Sequence, residues 1–148
     1  MKVMVLNGPN LNMLGIRETE IYGEKTYDEI CQELKEFAEK KDCEVDIRQT
    51  NHEGVLIDWI QEAYYEHYDG VIINPAGYTH TSIALADAVK AIEPLPVIEV
   101  HLSDPDLREE YRHVSYLRPF CLSSVKGIGP VGYRLALERL CNHVRGEQ

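Results

Sequence analysis

Short apolar runs alternate along this chain with longer segments of helical periodicity, and this alternation limits the possible folds more than any other feature. Val71, Ile72 and Ile73 form one such run, and a second surrounds Glu99. Nearly continuous apolar runs are typical of strands that helices cover on both faces. Strands that alternate with helices indicate repeated βαβ units. The sequence therefore predicts an α/β fold with a parallel sheet between layers of helices.

The pattern also places the individual elements. Strands are predicted at residues 2–6, 44–49, 70–74, 96–101 and 121–125. The first helix has a clear beginning, because Thr26 and Glu29 stand at capping-box spacing before apolar residues that recur at helical period. That helix is predicted to run to about residue 41, with later helices at residues 54–65, 82–92 and 131–144.

The overall composition is that of one folded domain. The chain has 148 residues, 44% hydrophobic and 27% charged, which fits a single domain over residues 1–148 with one ordinary core. Its formal net charge of −10 argues against nucleic acid as a partner, because nucleic-acid-binding surfaces concentrate Lys and Arg. A small anionic substrate stays possible if a few arginines gather in one place.

The first residues of the chain and its cysteines indicate the cellular compartment in which we expect the protein. The first residues contain one basic side chain and an apolar stretch shorter than a signal peptide requires, and no run reaches membrane-spanning length. The four cysteines form no C-x-x-C pair and are interpreted as reduced thiols. We therefore expect a cytoplasmic protein that does not bind membranes.

Two long connections, residues 7–25 and 103–119, follow predicted strands. Compact α/β domains favour short connections, so long ones are often functional. In open α/β sheets, ligands bind outside the carboxyl ends of the strands. We expect the functional site to lie between these two loops.

The first loop contains a turn and a possible acid–base pair. Residues 7–12 read Asn-Gly-Pro-Asn-Leu-Asn, which by itself is explained as a tight turn. Arg17 precedes Tyr22 by five residues, and both are ordinarily surface residues. The functional alternative is that the cation favours the ionised phenolate, since an unassisted phenol is almost fully protonated at neutral pH.

Two strand ends carry further candidates. Asn74 and His80 lie between a predicted strand and a helix, where Thr79, Thr81 or Ser82 are available as simple caps. His101 ends the next strand, two residues after Glu99. A lone histidine is more often structural, but imidazole is also the usual proton donor near neutral pH, and Glu99 is placed to orient it.

The segment from Arg108 to His113 is strongly charged. Its simplest interpretation is a solvated helical turn with internal ion pairs. The six histidines show neither H-E-x-x-H nor H-x₃₋₅-H spacing, which disfavours a metal site. The first loop also lacks the glycine patterns of dinucleotide and nucleoside triphosphate sites.

Several motifs occur in the same order as in one known family. They are Asn-Gly-Pro-Asn-Leu-Asn, Arg17 with Ile-Tyr22-Gly, Asn-His-Glu-Gly with Leu-Ile-Asp-Trp, Asn74-Pro with Thr-His80-Thr-Ser, Glu-Val-His101, and Arg-Glu-Glu-Tyr-Arg112-His. Through nearly its whole length the chain resembles the type II 3-dehydroquinate dehydratases. Each motif is weak alone, and the shared order makes the resemblance specific.

The resemblance implies both a fold and an assembly. The fold is a flavodoxin-like three-layer sandwich with a five-stranded parallel sheet in the order 2-1-3-4-5. The reaction is the reversible dehydration of 3-dehydroquinate to 3-dehydroshikimate through an enolate, with no metal and no cofactor. The implied assembly is a homo-oligomer, a dodecamer built from trimers.

The resemblance also implies roles for individual residues. Tyr22 resembles the base that removes a proton from C2, and Arg17 the residue that favours its ionised form and stabilises the enolate. Asn10 resembles the residue that holds a water against the enolate oxygen, and His101 the acid that protonates the departing hydroxyl. The implied substrate-binding residues are Asn74, His80, Leu102, Ser103 and Arg112, together with Asp87, which reaches the site of a neighbouring subunit.

Three positions depart from the family pattern: Ala86 replaces a common arginine, Leu102 an isoleucine and Ser123 a glycine. Ala86 puts a family ion pair between subunits in doubt.

Two other functions remain open at this point. One is a flavin- or nucleotide-binding module, because flavodoxin-like folds host many functions. The other is a non-catalytic assembly protein, in which the polar residues at the strand ends are dispensable.

Overall fold

The structure of the chain, a computed structural model, describes residues 1–147. It contains one sheet of five parallel strands in the order β2-β1-β3-β4-β5. The strands are β1 (Lys2–Asn7), β2 (Glu44–Gln49), β3 (Gly70–Asn74), β4 (Val97–His101) and β5 (Ser123–Lys126). The α-helices are α1 (Thr19–Tyr22), α2 (Tyr27–Lys40), α3 (Glu53–Tyr65), α4 (Ile83–Ala91) and α5 (Val131–Arg145).

Helices cover both faces of the sheet because side chains of successive strand residues point to opposite faces. In β1, Val3 and Val5 pack with residues of α2 and α5. Met4 and Leu6 pack on the other face with residues of α3 and α4. The predicted three-layer sandwich, its parallel sheet and its strand order are confirmed.

The differences from the predicted elements lie near the loops. The last strand begins at Ser123 instead of residue 121, because the preceding Arg118–Phe120 forms a 3-10 turn closed by the Cys121 N–H on the Arg118 carbonyl. Helix α1 was not predicted. It is a single turn between Glu18, with a φ of 40°, and Gly23, with a φ of 85°. One turn is too short to leave a periodic pattern in the sequence.

The site is positioned by the reversal of strand order between β1 and β3. These two strands are neighbours, and Asn7 pairs in register with Asn74 at their carboxyl ends. The chain leaves β1 toward α2 and leaves β3 toward α4, so the two connections separate and open a crevice between them. Within residues 1–147, no helix combines the length and the apolar character needed to cross a membrane.

Candidate active site

A cavity of about 190 Å³ lies at the carboxyl ends of β1, β3 and β4, where the sequence predicts the functional site. Both long loops contribute to its walls. Its lining residues are Pro9, Asn10, Leu11, Leu14, Arg17, Tyr22, Asn74, Ala76, Gly77, His80, His101, Leu102, Ser103, Pro105, Arg108 and Arg112. The cavity thus brings together nine of the ten predicted site residues, and their roles stay predictions.

The loop after β1 is held against the loop after β3 by a close backbone approach. The Gly8 N–H donates to the Asn74 carbonyl oxygen at 2.8 Å, and a Cβ at Gly8 would lie 2.6 Å from the Pro75 carbonyl oxygen. Only glycine permits this approach. The next turn places Asn10 in the left-handed region, with a φ of 70° and its N–H bonded to Asn51 Oδ1 at 3.0 Å. Asn10 is thereby brought to the cavity wall.

The Tyr22 hydroxyl lies between two guanidinium groups. Arg17 Nη2 donates to the Tyr22 oxygen at 3.3 Å and Arg108 Nη1 donates to it at 2.7 Å. Both guanidinium groups also approach the Tyr22 ring, with Cζ at 4.9 Å and 5.4 Å from its centroid. Within residues 1–147, no group accepts a hydrogen bond from this hydroxyl. The Tyr22 oxygen is therefore contacted by two cationic hydrogen-bond donors.

Arg108 is the main residue that the sequence interpretation missed. The predicted solvated turn exists in part, since Arg112 Nε pairs with Glu109 Oε2 at 2.8 Å. Arg108 instead extends to Tyr22, and its carbonyl accepts a hydrogen bond from His113 Nε2 at 3.0 Å. Tyr22 and Arg108 are 86 positions apart, and local sequence patterns carry no signal for such a contact.

His101 is anchored to a buried carboxylate. Its Nε2 is hydrogen bonded to Glu99 Oε1, and Glu99 is fully buried beneath it on the same face of β4. Burial alone would raise the pKa of Glu99, but hydrogen bonds from His101 and Ser115 and the charge of Arg118 hold that pKa below its usual range. The predicted orienting contact from Glu99 is therefore present. His101 is also among the residues that line the cavity.

Asn74 is oriented from behind by buried polar groups. Its Oδ1 accepts from the Ala76 N–H at 3.1 Å, and its Nδ2 donates to the Tyr133 hydroxyl at 3.2 Å. Tyr133 in turn donates to Asn7 Oδ1 at 2.5 Å. These bonds leave one Asn74 N–H available to the cavity.

His80 and the end of β4 complete the wall. His80 Nδ1 lies 2.8 Å from the Val114 carbonyl oxygen, which requires a proton on Nδ1 and leaves Nε2 as an acceptor while the ring is neutral. Burial lowers the pKa of His80 and favours this neutral form. The carbonyl oxygens of Leu102 and Ser103 accept from the N–H groups of Gly129 and Gly127, which fixes that backbone beside the cavity.

One predicted site residue lies elsewhere. Asp87 is exposed on α4, outside the residues that line the cavity. Its contact with the site of a neighbouring subunit stays a prediction. Across the part of the chain that the structure describes, no three His, Cys, Asp or Glu side chains are grouped so that they could hold a metal ion.

The charge of the cavity contrasts with that of the whole chain. Arg17, Arg108 and Arg112 line it, although the formal net charge is −10. A small anion is therefore attracted to this place on an otherwise acidic protein. The cavity thus holds a phenol contacted by two cations and an imidazole bonded to a carboxylate, which are side chains of the kinds used in acid–base catalysis. The fold and the site define an α/β enzyme that acts on a small anion by acid–base chemistry.

The comparison with known families agrees with this class. Residues 1–141 match the family model described as dehydroquinase class II. The chain belongs to this family.

Individual relatives match over nearly their full length. The chain is 49% identical over 147 residues to 3-dehydroquinate dehydratase of Clostridium perfringens strain 13, covering 99% of this chain and 100% of that protein. It is 55% identical over 136 residues to 3-dehydroquinate dehydratase 2 of Pseudomonas aeruginosa, covering 92% and 90%. The crystal structure of type II dehydroquinase from Butyrivibrio crossotus superposes with a TM-score of 0.93 at 46% identity, covering 95% and 97%.

Proposed function

We propose that Tyr22 and His101 divide between them the proton transfers of the reaction that this chain catalyses, the dehydration of 3-dehydroquinate to 3-dehydroshikimate. The observation that carries this proposal is the Tyr22 hydroxyl between two guanidinium groups, in the same cavity as His101. The family and its relatives favour this reaction over the flavin- or nucleotide-binding alternative.

The first step is removal of a proton from C2, next to the ketone. The Tyr22 phenolate takes the proton, and the electron pair moves onto the ketone oxygen as an enolate. Arg17 and Arg108 stabilise the phenolate before this transfer through charge-assisted hydrogen bonds. Asn10, exposed at the cavity wall, holds a water against the enolate oxygen.

The second step expels the hydroxyl group from C1. The enolate electrons return to form the C1–C2 double bond while the C1–O bond breaks, and protonated His101 donates its proton so that water leaves. Glu99 keeps the imidazole oriented through its hydrogen bond to Nε2. Proton exchange with solvent then restores the Tyr22 phenolate and protonated His101. Each molecule of 3-dehydroquinate thus gives one molecule of 3-dehydroshikimate and one molecule of water.

Substrate binding uses the remaining groups of the cavity. Arg112 binds the carboxylate, the Asn74 amide and neutral His80 bind hydroxyl groups, and the backbone at Leu102 and Ser103 completes the contacts. An Arg–carboxylate contact supplies orientation as well as energy, because both groups are planar and can form two parallel hydrogen bonds.

The direct test is to mix the chain with 3-dehydroquinate and follow the ultraviolet absorbance of the conjugated enone product. The same sample in deuterium oxide should incorporate deuterium at C2 of recovered substrate if proton removal precedes loss of water. A matched control is Tyr64→Phe, since Tyr64 lies on α3 and is 50% exposed. Full activity in Tyr22→Phe would remove Tyr22 from the mechanism, and an inactive chain would contradict the reaction itself.

We also propose that the whole chain forms one catalytic domain that works in the cytoplasm as a dodecamer built from trimers. Ile83 and Asp87 lie four residues apart on one face of α4, and Ile83 is 62% exposed. An apolar residue beside an acidic one suits a surface that another subunit covers. Light scattering after gel filtration should give the mass of a dodecamer of the 16.9-kDa chain, and a monomeric, fully active sample would contradict the proposed assembly.

A further inference from the structure

Glu99 has partners other than His101, and they come from the loop before β5. The carboxylate is fully buried, so each of its contacts replaces lost water. Ser115 Oγ lies 2.9 Å from Glu99 Oε1 and 3.0 Å from Oε2, so its single hydrogen is shared between the two oxygens. Ser115 is not among the residues that line the cavity.

Arg118 contacts the same carboxylate in a different way. Its Nε lies 3.8 Å from Glu99 Oε2, beyond hydrogen-bond distance but close enough for strong charge attraction. This Nε is buried and has no hydrogen-bond partner within residues 1–147. Arg118 Nε therefore acts on Glu99 through its charge and not through a hydrogen bond.

A purely structural explanation exists for part of this arrangement. Ser115 Oγ also accepts from the Arg118 N–H at 3.2 Å, which helps to form the 3-10 turn Arg118–Phe120. That explanation accounts for the hydrogen bond that Ser115 Oγ accepts from the Arg118 N–H. It does not account for the shared donation to both Glu99 oxygens or for the unpartnered Arg118 Nε.

We propose that Ser115 and Arg118 are positioning residues that keep Glu99 ionised and correctly oriented, so that His101 carries the transferable proton. The inference deepens the proposed function, because it rests on His101 as the acid. Without these partners, the proton between the two side chains would move toward the carboxylate and be donated less readily. Neither residue contacts the substrate in this proposal.

Other titratable and charged groups face the Glu99–His101 pair. The Cys121 thiol approaches it from the same loop, and burial raises the pKa of that thiol to about 12, so it stays neutral. His80 faces the pair from the 3-10 turn after β3, and burial lowers its pKa, so it too stays neutral near pH 7. Arg112 acts on His80 from the cavity side. Arg118 is therefore the cation that acts on Glu99 from behind.

The sign of the expected pH effect follows from these contacts. A hydrogen bond to the carboxylate and a nearby positive charge both favour loss of the proton from the pair. Removal of either should leave the pair more basic. The alkaline limb of the kcat profile should then move to higher pH, while the plateau falls because the proton is donated less readily.

The experiment compares Ser115→Ala and Arg118→Gln with the conservative variants Ser115→Thr and Arg118→Lys. Ser115→Ala loses one hydrogen bond to a charged group, which predicts a fall in kcat of about 10-fold to 100-fold with KM nearly unchanged. Arg118→Gln removes a charge that lies 3.8 Å from Glu99 without a hydrogen bond, and it should lower kcat by a smaller factor. The conservative variants should recover most of kcat and the original alkaline limb. Ser123→Ala and Arg139→Gln are matched controls, since Arg139 Nη1 donates to Ser123 Oγ at 2.8 Å away from Glu99.

A readout without substrate separates this proposal from the proposed function. Carbon-13 NMR of the Glu99 carboxyl should show its titration at higher pH in Ser115→Ala and Arg118→Gln than in the unaltered chain. An inactive unaltered chain contradicts the proposed function, and the NMR titration still tests the two residues. An unmoved titration, or a fall in kcat with an unmoved alkaline limb, overturns the positioning role and leaves Ser115 and Arg118 as structural residues.

Discussion

The two proposed proton-transfer groups of the site, His101 and Tyr22, are held in place in opposite ways. His101 ends a central strand and is bonded to Glu99, two residues earlier on the same strand. Tyr22 lies in a one-turn helix within a long loop, and its partners are five and 86 residues away. Glu99 is fully buried, whereas Arg17 keeps 33% of its side chain exposed. The proposed acid is thus part of the sheet, and the proposed base is assembled between two loops.

Because of this difference, one group is positioned when the sheet folds, whereas the other is positioned only when the loops close over the cavity. His101 is in place once the sheet has formed, because its hydrogen-bond partner Glu99 lies two residues earlier on the same strand. A loop group reaches its working position only when both loops are closed, and loops have fewer buried contacts to hold them. We therefore expect the proposed base to depend more strongly on the closure of the two loops than the proposed acid does.

The largest expected effect is that of Tyr22→Phe. The change removes the oxygen that takes the proton and keeps the ring packed against the core and the two guanidinium groups. Turnover should fall toward the upper end of the about 10²–10⁴-fold range for loss of acid–base catalysis, measured by the absorbance assay. Circular dichroism should be unchanged. Retention of more than a tenth of the activity would show that the loop group is not the base.

The second effect is that of His101→Ala. Turnover should fall within the same range of about 10²–10⁴-fold, and less than in Tyr22→Phe, because water in the cavity can partly replace a lost proton donor. Substrate should still bind, since the leaving group gains charge only in the transition state. The removal also leaves Glu99 buried without its main partner, so the free energy of unfolding should drop as well.

Single-turnover kinetics and denaturant unfolding separate these two consequences. If the acid belongs to the folded sheet, His101→Ala should lower both turnover and stability, while Tyr22→Phe lowers turnover alone. Equal stability of the two variants would contradict the contrast between the acid and the base.

The same contrast explains what could be predicted from the sequence. The strand runs around Ile72 and Ile98 and the capping box at Thr26 are local signals, because burial on both sides and helix capping leave periodic or short-range patterns. Asn74 and His101 were found because they follow strands, and parallel strands end at one edge of the sheet. Their placement required no knowledge of loop paths.

The parts that could not be predicted depend on the loop paths. Arg108 stands in a segment whose charges are consistent with local ion pairs, and only the loop path between β4 and β5 brings it to Tyr22. Ser115 gives no local signal for the same reason. The roles of Tyr22 and Arg17 came from a family resemblance, since an arginine and a tyrosine five residues apart have no specific meaning by themselves.

A third prediction compares the two arginines at the base. Arg108 Nη1 is closer to the Tyr22 oxygen than Arg17 Nη2, at 2.7 Å against 3.3 Å, and Arg17 is also paired with Glu18 at 2.6 Å. Arg108→Met should therefore lower kcat by about 10-fold to 100-fold, the scale of a lost charge-assisted hydrogen bond. Arg17→Met should lower kcat less. Methionine keeps the apolar stem of either side chain.

Double variants test whether the arginines act through the tyrosine. Adding Arg108→Met to Tyr22→Phe should reduce turnover little further, because residues that share one step are non-additive. Multiplicative losses would mean that Arg108 has a separate function, such as binding the substrate carboxylate. Arg134→Met is a control for surface charge, since Arg134 is exposed on α5 and outside the cavity.

The smallest effect concerns the anchor of the loop that carries the base. Thr26 begins α2 with a complete capping box: its Oγ1 accepts from the Glu29 N–H at 3.2 Å, and Glu29 Oε2 accepts from the Thr26 N–H at 3.4 Å. Thr26→Ala should lower the free energy of unfolding by about 1 kcal/mol, the usual cost of a lost N-cap, and Thr26→Ser should restore it. Because Thr26 also packs against Gly15 in the base loop, the alanine variant should show faster hydrogen exchange there than at β4. Equal exchange changes in both regions would mean that the loop and the sheet open together, and the distinction between a preformed acid and an assembled base would then fail.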